Sequence, residues 1–217
     1  MPFTIHYFVR PLVPFVNRLL LQKAEGLDNI PKSGPYILAA NHVSVPDELL
    51  LANLVLWRDK RKLWFIARDD YWFTKAWGRL MSRLMCVLII DWRTPAAVLQ
   101  PAEELLKKSE PIMIFPEGTR NFDSESLVLG KTGAVRLALA AHCPIIPVGY
   151  IGPDITSVLD GLKHLARRTK AKLYFGQPID LSDYYNEPVT RELLYSLTDK
   201  VMIEIGKLCN KKPRLHT

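Results

Sequence analysis

Six short apolar runs, each rich in β-branched or aromatic residues, recur along this chain with helix-spaced segments between them, and no other feature limits its fold as much. The runs are Tyr36–Ala40, Leu63–Ala67, Val87–Ile90, Ile112–Phe115, Ile145–Tyr150 and Lys172–Phe175. Helical spacing is carried by Asp47–Trp57, Lys75–Met85, Ala96–Lys107 and Gly133–His142. Alternation of this kind predicts an α/β fold: a single-domain sandwich with a mostly parallel mixed sheet covered by helices. Pro101 removes a backbone donor inside the third helical segment, so a kink there or a start at Gln100 is expected. Leu194, Leu197, Val201, Ile205 and Leu208 form one apolar stripe on a closing helix, ahead of the basic Lys211, Lys212 and Arg214. No repeat, low-complexity tract or linker divides the 217 residues, which suits one core.

Composition narrows the class of protein further. With 48% apolar and 24% charged residues the chain is an ordinary globular one. Three cysteines, Cys86, Cys143 and Cys209, are too few and too far apart for a disulfide or zinc framework, and no metal site is expected. A surplus of +7 favours an anionic partner, whether nucleic acid, phospholipid surface or phosphorylated substrate. No helix-turn-helix, aromatic RNA-binding block or zinc spacing supports nucleic acid. The most hydrophobic run, Leu84 to Ile90, is too short to span a bilayer and reads as a buried strand.

The first 22 residues are amphipathic, with Phe3, Tyr7, Phe8, Phe15 and Leu19 among the apolar residues and Arg10 and Arg18 interrupting them, and they are broken at Pro11 and Pro14. They lack the uninterrupted stretch and small-residue site of a signal peptide. Two readings stay open: a helix packed on the body's own core, or one lying in a lipid interface with its arginines toward head groups.

Ligands of open α/β sheets gather where strands end, and two motifs stand at such exits. After the first strand run comes Asn41-His42-Val43-Ser44-Val45-Pro46-Asp47. His42 and Asp47 could form a general-base pair, the carboxylate holding one ring nitrogen while the other takes a proton. On a continuous helix five residues would turn the two side chains by about 140°, so a turn must intervene. The competing account is a capping box, with Ser44 as N-cap, Asp47 as the acid three residues on and Pro46 in the first turn. After the fourth strand run comes Phe115-Pro116-Glu117-Gly118-Thr119-Arg120, with Lys131 eleven residues beyond Arg120. Arg120 can grip phosphate oxygens in bidentate fashion, and Gly118 lets backbone N–H groups approach a ligand. A tight turn with an exposed arginine is the plainer alternative.

These residues resemble the glycerophospholipid acyltransferases, the 1-acylglycerol-3-phosphate acyltransferase family. His42 followed by four residues and Asp47 looks like that family's H-x4-D motif, Phe115 to Arg120 like its F-P-E-G-T-R motif, and Pro144 to Val148 like its final proline-bearing block. All occur in the family's order, and the likeness covers roughly residues 25 to 180. It implies an amphipathic membrane-interface segment at 1–24 followed by an acyltransferase domain at 25–217. Two positions depart from the pattern. Trp92 separates Asp91 from Arg93, where the family usually joins acid and arginine directly, and Gly130 stands where phenylalanine is common, which is expected to loosen or reshape packing.

The resemblance implies transfer of a fatty acyl chain from an acyl thioester, on coenzyme A or acyl carrier protein, to the hydroxyl of lysophosphatidic acid, forming phosphatidic acid. His42 and Asp47 would be catalytic; Asn41, Arg93, Glu117, Gly118, Thr119, Arg120 and Lys131 would bind substrate or shape its site. No cofactor beyond the acyl thioester is implied. Other acceptors fit the same pattern, namely glycerol 3-phosphate, another lysophospholipid or a lipid-linked sugar, as does a non-catalytic lipid-binding relative. An anionic membrane surface is the implied partner, placing the protein at the cytoplasmic face of a membrane in peripheral or monotopic attachment. The basic groups Arg58, Lys60, Arg61 and Lys62, and Lys163, Arg167, Arg168, Lys170 and Lys172, are the candidates to meet it.

Overall fold

Four apolar residues between Pro35 and Asn41 form a strand buried on both faces, and the rest of the molecule is arranged around it. The computed structural model describes residues 11, 13–43, 45–68, 86–90, 99–155, 160, 163–164 and 166–216. Its strands are β1 (Leu21–Glu25), β2 (Ile37–Ala40), β3 (Trp64–Arg68), β4 (Val87–Ile90), β5 (Ile112–Ile114), β6 (Ile145–Ile151) and β7 (Ala171–Phe175). The helices are α1 (Val13–Leu20), α2 (Val45–Asp59), α3 (Gln100–Lys107), α4 (Gly133–Ala141) and α5 (Arg191–Cys209). The expected helix at Lys75–Met85 lies outside the described residues.

The seven strands make one sheet in the order β1-β7-β6-β2-β5-β3-β4. Every neighbouring pair is parallel except β6 with β7. Alternate residues of the central strands point to opposite faces, and each face has its own core. Ile37, Ala39, Ile112 and Ile145 pack under α3, α4 and α5 with Leu106, Val135, Leu197 and Val201. Leu38, Ala40, Met113 and Ile146 pack on the other side against Leu50, Leu51, Leu54 and Val55 of α2. Both faces are therefore covered, as the runs of continuous apolar residues in the strands require.

Local chemistry explains the element ends. α3 starts at Gln100 with Pro101 in its first turn, where the missing N–H costs nothing, so no kink arises. Thr190 caps α5 by accepting from the Leu193 N–H at 3.2 Å. His142 closes α4 in the left-handed region.

The N-terminal reading changes in two respects. Leu21–Ala24, expected to end the amphipathic segment, belong instead to β1, which pairs with β7 at the edge of the sheet. Pro14 sits in the first turn of α1 rather than breaking it. Leu20 packs on the α2-side core, while Phe15 and Leu19 remain exposed. Residues 1–10 lie outside the described part. Among the described residues no helix is long and apolar enough to cross a membrane.

Candidate active site

Parallel pairing of β2 with β5 sets Ala39 opposite Ile114, so the chain leaves both strands at the same edge of the sheet. That register alone brings the two motifs, some seventy-five residues apart, into contact. The Phe115 ring stacks on the His42 ring, with centroids 3.8 Å apart and planes inclined by 16°. The His42 N–H donates to Glu117 Oε1 at 3.1 Å, and the His42 carbonyl accepts from the Asn121 N–H at 2.8 Å. The histidine is thus gripped through its backbone from both sides by the second motif.

Asn41 holds the other flank. Its amide donates to the Tyr150 carbonyl at 3.0 Å and accepts from the Tyr150 N–H at 2.7 Å, continuing the β2–β6 ladder with a side chain. His42 precedes α2, and the turn between them lets Asp47 Oδ2 reach His42 Nδ1 at 3.1 Å. Asp47 is fully buried. It also accepts from the Val43 N–H at 3.0 Å and the Glu48 N–H at 2.7 Å. The carboxylate so reaches back across the start of α2 as a capping acid would, but to Val43; Ser44 lies outside the described residues. One side chain makes both kinds of contact. With Asp47 Oδ2 at Nδ1, the tautomer that completes this hydrogen bond carries its hydrogen on Nδ1 and leaves the lone pair on Nε2.

Glu117 is only 2% exposed. Besides the His42 N–H, it accepts from Asn121 Nδ2 and from the Val128 N–H, each at 2.9 Å. Asn121 Nδ2 also donates to the Ser126 carbonyl at 2.7 Å. Two side chains expected to bind ligand, Asn41 and Glu117, therefore spend their polar atoms inside the protein, behind His42. Thr119, Arg120 and Lys131 are exposed. Gly118 takes a φ of +68°, and a Cβ there would lie 2.5 Å from Lys131 Nζ, so the lysine side chain lies across the glycine. The Lys131 N–H donates to the Pro116 carbonyl at 2.8 Å, which ties that residue to the motif loop. Arg93 lies outside the described residues.

Three neighbours escaped the sequence reading as site residues: Phe115 as a stacking partner, Asn121, and Glu48. Glu48 follows Asp47 in α2, and its Oε1 stands 3.8 Å from His42 Nε2. Burial and the Asp47 charge push its carboxyl above the ordinary range, against the opposing pull of His42 and Arg120. Among the described residues His42, Asp47 and Glu48 form the trio whose ligand atoms, within 4.8 Å of one another, could hold a metal. Asp47 is already spent on Nδ1 and two N–H groups, so Nε2 and Glu48 are left. That is short of the three protein ligands a catalytic zinc takes.

Two arginines away from this site tie loops together. Arg58 donates to the carbonyls of Leu27 and Ile30, and Arg61 to those of Gly34 and Ser109, so two members of the first basic cluster staple loops instead of facing outward. The three thiols are buried and in no disulfide, and burial pushes Cys143 up to about 12 and Cys86 and Cys209 up to about 11. That leaves them poor nucleophiles.

The chain is similar to known proteins in sequence and in fold. A family model described as Acyltransferase matches residues 22–151. A 1-acyl-sn-glycerol-3-phosphate acyltransferase of Bacillus subtilis (strain 168) is 26% identical over 193 residues, covering 89% of this chain and 90% of the relative. The human 1-acyl-sn-glycerol-3-phosphate acyltransferase alpha is 32% identical over 130 residues, 58% of this chain and 44% of that one. The crystal structure of the 1-acyl-sn-glycerophosphate (LPA) acyltransferase PlsC of Thermotoga maritima superposes with a TM-score of 0.63 at 23% identity, over 94% of this chain and 79% of the other.

Proposed function

The chain belongs to the Acyltransferase family, and on that premise we propose that it moves a fatty acyl group from an acyl thioester, on coenzyme A or acyl carrier protein, to the free hydroxyl of 1-acyl-sn-glycerol 3-phosphate. The observation that carries the reading is the His42 imidazole, aligned through Nδ1 by buried Asp47 and stacked on Phe115, with Arg120 and Lys131 on the adjoining loop. His42 Nε2 takes the proton of the acceptor hydroxyl as its oxygen attacks the thioester carbonyl. Asp47 holds the ring and stabilises the imidazolium. The C–S bond then breaks, and the departing thiolate recovers the proton from Nε2. Arg120 and Lys131 hold the acceptor phosphate, with Gly118 and Thr119 shaping the loop beneath it. The reaction asks no cofactor of the protein.

The membrane side of the proposal rests on exposed Phe15 and Leu19 of α1 and on the exposed bases Lys163, Arg167 and Arg168. Exposed apolar and exposed cationic side chains suit peripheral attachment to an anionic leaflet, and Lys170 Nζ, donating to the Arg18 carbonyl at 2.6 Å, ties the basic stretch to α1.

Purified protein supplied with acyl-coenzyme A and a panel of lysolipids, followed by free thiol release, tests the reading. Release that depends on 1-acyl-sn-glycerol 3-phosphate is expected. H42A should lower turnover at least about a hundredfold with the fold intact. A folded H42A variant of near-normal rate removes His42 from the chemistry, and thiol release without acceptor would make the protein a thioester hydrolase.

A further inference from the structure

The half-exposed carboxylate of Glu48 faces the nitrogen of His42 that Asp47 does not hold, with Oε1 3.8 Å from Nε2. None of the motif residues performs that contact, and nothing in the proposed reaction has used it so far. Its surroundings are of mixed charge: Asp47 lies on the same turn of α2, Arg120 is near enough for its charge to act on Glu48, and Glu117 is turned inward behind His42. A negative charge at this place acts on two stages of one turnover in opposite senses.

We propose that Glu48 is a positioning residue that favours the charged imidazole formed during transfer while opposing the entry of the acceptor phosphate. The inference rests on His42 being the general base. When Nε2 takes the hydroxyl proton, the ring carries a positive charge lying between Asp47 on one nitrogen and Glu48 on the other. That attraction is absent while the ring is neutral, so it is made in the transition state and not with bound substrate, and it raises kcat. The acceptor phosphate, drawn by Arg120 and Lys131, must settle near the same carboxylate, and like charges repel. That repulsion acts on the bound ground state and raises KM. Glu48 therefore trades acceptor affinity for rate, and it favours an acceptor whose phosphate charge is strong enough to overcome it.

The test is steady-state kinetics of the full chain carrying E48Q, with acyl-coenzyme A and 1-acyl-sn-glycerol 3-phosphate as probes, beside H42A and the H42A/E48Q double variant. E48Q should lower kcat roughly three- to tenfold, the scale of one half-exposed charge pair, and lower the acceptor KM as well. A purely structural residue would not move the two constants downward together. In the H42A background the same substitution should still lower KM and leave kcat unchanged. Unchanged constants in E48Q, a KM that rises, or an equal fall of kcat with and without His42 would overturn the proposal. If E48Q melts below the parent, E48D, which keeps the charge, is measured beside it, and failure of E48D to raise kcat above that of E48Q counts against the proposal equally. Full activity in H42A would instead sink the general-base reading itself, so the two failures are distinguishable.

Discussion

Glu117 shows how a motif residue can serve a site without facing it. Its two oxygens accept three N–H groups, from His42, Asn121 and Val128, in a place closed to solvent. Glutamine offers only one acceptor oxygen, so E117Q sets an amide hydrogen against a donor, at a cost of about 1–3 kcal/mol. The melting temperature of E117Q should fall by roughly 2–4 °C for each kcal/mol lost, with activity falling alongside. An E117Q protein that melts like the parent yet has lost its activity would mean that this side chain touches substrate instead. The sequence made His42 and Asp47 legible as a pair because five residues and one turn suffice to join them. It could not show that Glu117 clasps the His42 backbone, since that contact exists only once β2 and β5 lie side by side.

At the scale of elements, α5 is pressed on β6 more closely than side chains alone allow. A Cβ on Gly149 would lie 2.5 Å from the backbone carbon of Leu208, at the end of that helix. G149A must part helix and strand, and a loss of about 1–3 kcal/mol is expected as a lower denaturation midpoint in urea. A midpoint equal to the parent's would show that the two elements are not in such contact. Gly130 obeys the same rule: Met202 Cγ and Thr198 Cγ2 of α5 would lie 2.6 and 2.9 Å from its Cβ. Packing at Gly130 is therefore close, because the closing helix fills the space. The six strand runs were readable as short apolar stretches, and the stripe of α5 from periodicity. β1 was not, because Leu-Gln-Lys-Ala-Glu carries three polar residues in five and becomes a strand only by pairing with the edge of β7.

Across the whole molecule, charge and apolar exposure divide differently from the way composition suggests. Of the first basic cluster, Arg58 and Arg61 are consumed by carbonyls, whereas Lys163, Arg167 and Arg168 stay at the surface. Removing residues 1–22 would cut into β1, so the attachment surface is better tested by substitution. F15S combined with L19S should weaken binding to phosphatidylglycerol vesicles at least about tenfold in a sedimentation assay, and added salt should weaken what remains. Binding unaffected by the pair would place the lipid contact away from α1.

What the amino-acid order determined by itself was everything of short range: the apolar runs of the strands, the stripe of α5, and an acid five residues after a histidine. Each is set by the geometry of one segment, whatever surrounds it. The tertiary structure decided which strands are neighbours, that β7 runs against β6, and that the Phe115 loop closes over His42. Those outcomes depend on which apolar faces are buried together, and burial energy is a property of the assembled pair that neither segment carries alone.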